Sequence, residues 1–238
     1  MKLSAQTAGG HGRRRNKKWR AGWSIGLVAL CGSLAGNETF SLHAGLSQPA
    51  YLPDNVFAYP AKLPLNLQRV AVLPLAVSAD TGDLVAGSTT LTPVVWEQLI
   101  ATKKFETIAV KADFLRSCTG RLAWAGTEAL PPDFFDSLRR EYACDAVLFT
   151  ELTTYRAYAP LAVGWRFKLV DVHTGQIIWA TDEIFDAAQP AVAKAARRFA
   201  GEKPFWVFLG LGDRVQLDSP RQFGRYSAAA LLATLPER

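Results

Sequence analysis

The sequence is poor in the residues that most often carry chemistry: among 238 positions it has three histidines, three cysteines and one methionine. His11 and His43 lie near the amino terminus, so His173 is the one imidazole left for acid–base or nucleophilic work in the rest of the chain. No CxxC pair and no grouping of Cys with His occurs, which removes the usual zinc-ligand spacings. Internal repeats and low-complexity tracts are absent. A hydrophobic fraction of 49% with 11% aromatics excludes wholesale disorder and is ample for a packed core.

An excess of one charge is also missing once the amino terminus is set aside. The formal charge is +6, but Lys2, Arg13, Arg14, Arg15, Lys17, Lys18 and Arg20 supply seven cations in residues 1–36, which contain no Asp or Glu. The remainder carries 20 Lys and Arg against 21 Asp and Glu, so bulk charge gives no support to a nucleic-acid-binding face.

Residues 1–36 have the parts of a secretory leader: the basic run RRRNKKWR, the apolar stretch WSIGLVALCGSLAG, and small residues where a peptidase could cut. The apolar stretch has fourteen residues, short of the roughly 20 that cross a bilayer. Cys31 is placed like a lipoprotein's acylated cysteine, although the bulky Leu30 before it departs from that pattern; Ser33-Leu34-Ala35 offers ordinary cleavage after Ala35. Either route predicts an extracytoplasmic protein, periplasmic or outer-membrane-associated in a bacterium, with any membrane attachment through the amino terminus. In that compartment Cys118 and Cys144 are candidates for a disulfide, the alternative being two small buried apolar residues.

Residues 37–67 hold four prolines without a helical or alternating period and read as an extended tether. A single α/β domain is expected over 68–238. It opens with the apolar strand RVAVLPLAV, broken near Pro74, followed by a polar loop SADTGDLVAGSTT and a helix LTPVVWEQLIATKKF starting at Thr92-Pro93. ETIAV reads as a strand, and KADFLRSC and PPDFFDSLRREY as helices. DAVLFTELTTY has the continuous apolarity of a central strand, and in VGWRFKLVD the residues Val163, Trp165, Phe167 and Leu169 alternate with Arg166 and Lys168. QIIWATDEIF is a further strand. PAVAKAARRFA is a helix, and SPRQFGRYSAAALLATL another, with Ser219 as its cap. The fold class is therefore α/β, with a mixed sheet containing antiparallel hairpins packed by helices.

DVHTGQIIWA is the stretch that looks most like chemistry. Its residues specify a turn equally well, since Asp171 and Thr174 can accept backbone N–H groups and Gly175 suits a positive φ. The turn is the expected structure, with His173 in a loop and no catalytic residue assigned. Asp182, Glu183 and Asp186 could supply oxygen ligands to a cation, but adjacent strand residues point to opposite faces, so no metal site is expected. GLGDR at 210–214 lacks the third glycine and the βαβ setting of a dinucleotide site, and no cofactor is expected. Candidate interaction residues are Tyr155, Arg156, Tyr158 and Arg166 around one predicted connection, and Trp206 in KPFWVFLGLG, because Tyr, Arg and Trp are enriched in binding hot spots.

The order of RVAVLPL, a helix, ETIAV, a helix, DAVLFTELTTY and the hairpin LVDVHTGQIIW resembles a bacterial envelope domain over residues 68–186. That domain occurs in the curli-secretion lipoprotein CsgG, the amino-terminal domain of TolB and the penicillin-binding-protein activator lipoprotein LpoB. The resemblance implies a non-catalytic module acting through contacts with envelope proteins in assembly, secretion or cell-wall synthesis. The long membrane-inserting hairpins of the secretion pore have no counterpart here, so pore formation is not implied. From the residues alone, a domain binding a glycan or small ligand is the alternative.

Overall fold

The computed structural model describes residues 51–200 and 219–238. Within them, seven strands form one mixed sheet with five helices around it. In chain order the elements are β1 (Val56–Ala58), β2 (Arg69–Val72), β3 (Ala76–Val77), α1 (Gly82–Thr102), β4 (Glu106–Ala109), α2 (Ala112–Thr119), α3 (Phe134–Tyr142), β5 (Ala146–Arg156), β6 (Ala162–Asp171), β7 (Ile177–Asp186), α4 (Pro190–Phe199) and α5 (Pro220–Leu232). The sheet order is β1-β7-β6-β5-β2-β4, with β3 also on β5. β2 runs parallel to β4 and β5, whereas β5, β6, β7 and β1 are antiparallel neighbours. This is the α/β class with antiparallel hairpins that the sequence pattern implies.

Strand alternation divides the core between the two faces of the sheet. Val70, Leu148, Trp165, Phe167, Trp179 and Phe185 point to one face, where Leu91, Val95 and Leu99 of α1 and Phe223, Tyr226 and Leu231 of α5 meet them. Ala71, Leu73, Val147, Phe149 and Val170 point to the other, under Leu115 of α2 and Phe134 and Leu138 of α3. β5 supplies both cores, which is why it is buried without a break from Ala146 to Leu152.

Three expectations are corrected. First, α1 begins at Gly82, so most of the stretch expected as a polar loop is helical and Pro93 lies inside the helix. Leu84, Gly87, Leu91, Val94, Val95, Gln98 and Leu99 form its buried stripe at spacings of three and four. Gly87 and the Ser and Thr residues hid that stripe. A Cβ on Gly87 would lie 2.5 Å from Cγ of Tyr155, so the glycine marks close helix-to-sheet contact rather than a loop. Ser88, Thr89 and Thr90 bond back to carbonyls three or four residues earlier in the helix.

Second, residues 51–67 are not a tether. β1 pairs with β7, Leu63 and Leu67 are buried in the α1-side core, and Leu63 N–H donates to the Glu237 carbonyl at 2.7 Å. The Tyr51 hydroxyl donates to Glu183 at 2.7 Å, and its ring meets Phe185 edge to face. Two isolated leucines among prolines give no periodic signal, yet each fills the core. Third, Cys118 and Cys144 are both free. Cys144 is packed into the core under α2 and α3, whereas Cys118 is exposed on α2, so the two thiols occupy different environments.

Candidate interaction surface

The helices cover the two faces of the sheet unequally. On the α1 side, α1, α4 and α5 extend across β5, β6 and β7. On the other side, α2 and α3 sit over Leu73, Val147, Phe149 and Val170, and the loop after α2 brings Gly126 against Lys168 and Phe149. Beyond that loop no helix of the described residues covers the outer halves of β6 and β7 or β1. Phe57 on β1 and Ile184 on β7 are 52% and 48% exposed on this bare face.

Three charged groups lie in one row across its centre. The ladder register sets Arg166 of β6 directly opposite Glu151 of β5 and Asp182 of β7. Arg166 Nε donates to Asp182 Oδ2 at 2.8 Å, and Nη1 lies 3.3 and 3.2 Å from the two oxygens of Glu151. Glu151 is buried, and burial raises its carboxyl above the ordinary carboxylate range against the opposing pull of Arg166. Lys168, two residues along β6, donates to the Gly126 carbonyl and lies over the Phe149 ring; burial lowers its ammonium from the usual value. A shallow groove of about 460 Å³ runs over this row, bordered by Asn55, Phe57, Thr127, Glu128, Lys168 and Asp182.

The expected interaction residues do not form one cluster. Tyr155 turns to the α1 face and packs against Gly87. Arg156 is exposed at the end of β5, bonding Asp186 at 2.8 Å and the Pro160 carbonyl. Tyr158 stands at the β5–β6 turn, 84% exposed. Arg166 belongs to the charged row. Trp206 and Cys31 lie outside the described residues. Sequence reasoning overlooked Phe57, which fell in the supposed tether, and Lys168, whose place in alternation looked like an ordinary solvated lysine. Glu151 was hidden within an apolar strand, where a charge among β-formers is itself a signal of a paired partner.

DVHTGQ forms the β6–β7 turn. Asp171 Oδ1 accepts the N–H groups of His173 and Thr174 at 2.7 and 2.9 Å, and Gly175 has φ +70. The exposed His173 lies 3.3 Å from Arg139 through Nδ1. Asp182 and Glu183 separate as strand geometry requires, one bonded to Arg166 and the other to Tyr51. Among the described residues no group of three His, Cys, Asp or Glu could hold a metal ion, and no helix is long and apolar enough to cross a membrane.

No protein-family model and no curated protein sequence matches this chain. Among solved structures it is similar to the PelC dodecamer of Paraburkholderia phytofirmans, at 15% identity over 77% of this chain and 96% of that one, with a TM-score of 0.42. Lipoprotein GNA1162 of Neisseria meningitidis matches at 15% identity over 57% of this chain and 99% of that one, with a TM-score of 0.39. The NMR structure of Escherichia coli LpoB matches at 12% identity over 74% of this chain and 90% of that one, with a TM-score of 0.37.

Proposed function

We propose that the chain is an exported, non-catalytic module of the bacterial cell envelope that acts through protein contacts in envelope assembly, secretion or cell-wall synthesis. The bare sheet face is its contact surface, and the observation that carries this reading is the unequal covering of the sheet. Phe57 and Ile184 offer apolar area, while the paired charges of Glu151, Arg166 and Asp182 between them restrict which partner fits. Arg156, bonded to Asp186 at the end of the β5–β6 hairpin, extends the same face, and the exposed Tyr158 lies in the adjoining turn.

The leader-like residues 1–36 support export, and Cys31 offers a lipid attachment point if cleavage falls before it. The sequence resemblance to the CsgG, TolB and LpoB domain points the same way. Site-specific photocrosslinking in the envelope of the source cell tests the reading. A benzophenone residue replacing Phe57 or Ile184 gives a discrete adduct with the same envelope protein, and one replacing Glu97 on α1 gives none. Equal adducts from all three positions, or none from any, would refute the assignment of the face.

A further inference from the structure

A second feature lies at the parallel end of the sheet. The connection leaving β2 passes through α1 on one face and reaches β4; the connection leaving β4 passes through α2 and α3 on the other face and reaches β5. Adjacent strands whose connections depart to opposite faces leave a crevice outside their C-terminal ends, the place where open α/β sheets take ligands. Here the crevice is enlarged by the chain after β2. Val72 pairs with Leu148 and Ala76 with Glu151, so four residues advance against three on β5 and the segment around Pro74 bows out of the sheet. The resulting hollow measures about 540 Å³, within the range of about 300–1,000 Å³ typical of small-molecule sites.

Its lining decides the class of occupant. Leu73, Leu75, Pro93, Trp96, Leu99 and Val110 make it apolar, and among the described residues no charged side chain borders it. The two hydroxyls at its wall are already engaged: Thr92 donates to the Ser88 carbonyl at 2.7 Å and Thr150 to the Leu73 carbonyl at 3.3 Å. A charged ligand, or a glycan with many hydroxyls, would surrender hydration there without replacement. We propose that the crevice between the C-terminal ends of β2 and β4 is a binding site for a small, uncharged, predominantly apolar molecule. It lies on the α1 side of the sheet and is independent of the contact face proposed above.

The test titrates the full chain with uncharged N-phenylnaphthylamine and follows its fluorescence. Saturable binding of one probe per chain is expected. Ala109 and Thr92 are exposed rim residues, so Ala109→Trp and Thr92→Trp obstruct the hollow without disturbing the core. Each is expected to weaken the probe by at least about tenfold, equivalent to about 1.4 kcal/mol, with circular dichroism unchanged. Leu65→Trp, at an exposed position outside both the hollow and the contact face, leaves binding intact. The site is overturned by absent or unsaturable binding, or by equal affinity in a folded rim variant and the parent. Binding of anionic anilinonaphthalenesulfonate at the same place with equal or higher affinity overturns the uncharged class.

Discussion

Arg166 on β6 stands in direct register with Asp182 on β7, its Nε 2.8 Å from the carboxylate, while the same guanidinium reaches back to Glu151 on β5. One arginine thus answers two carboxylates from neighbouring strands. Arg166→Met leaves the buried Glu151 without its partner and is expected to destabilise the fold by about 3 kcal/mol, because an uncompensated buried charge is strongly unfavourable. Urea unfolding at neutral pH measures it. A change within about 0.5 kcal/mol would place this pair among ordinary surface ion pairs.

Glu151 also predicts a pH dependence. Its carboxyl is raised chiefly by burial, so the folded state holds the proton more tightly than the unfolded state. Stability from this group therefore falls as pH rises from the unfolded value, about 4.3, through the raised folded value, and the loss is complete above it. Glu151→Gln removes that titration. Between about pH 4 and 7 the stability of the variant relative to the parent is expected to shift in its favour, measured from unfolding midpoints across that range. A shift toward the parent would mean that Arg166 outweighs burial.

The amino-terminal segment offers a clean contrast between tether and core. Leu67 is buried against the α1-side core, so Leu67→Ala is expected to cost about 2–5 kcal/mol. An unattached tether would register no change.

The cysteines differ in access. Burial raises the Cys144 thiol, and its side chain is enclosed, whereas Cys118 is exposed. Iodoacetamide is expected to label Cys118 in the native protein and Cys144 only after unfolding, as peptide mass spectrometry would show. Resistance of both until reduction would establish the disulfide instead.

At the β6–β7 turn, Gly175 has a positive φ and His173 is exposed. Gly175→Ala is expected to lower stability by about 1 kcal/mol, and His173→Ala to leave it within about 0.5 kcal/mol. Thermal unfolding of the two variants distinguishes a backbone requirement from a side-chain one.

The elements with strict periodicity were legible from the residues: alternation through Val163, Trp165, Phe167 and Leu169 marks β6, and Ser219 caps α5 by accepting from Gln222 N–H. What was hidden depended on partners distant in sequence. Gly87 looks like a loop residue until Tyr155 is seen against it, and Leu63 and Leu67 look like tether until the sheet they cover is known. Arg166 could be nominated from its residue type, but its two carboxylate partners follow from strand register, which local sequence does not specify. The bare face is likewise a property of where helices stop, not of any strand.

The most direct test of the account is quantitative co-purification of the envelope partner with a Phe57→Glu, Ile184→Glu double variant. Both residues are exposed, so circular dichroism and melting should match the parent. The account predicts that the folded variant loses the partner by at least about tenfold, that is about 1.4 kcal/mol or more. Undiminished recovery of the same partner by the folded variant would contradict it.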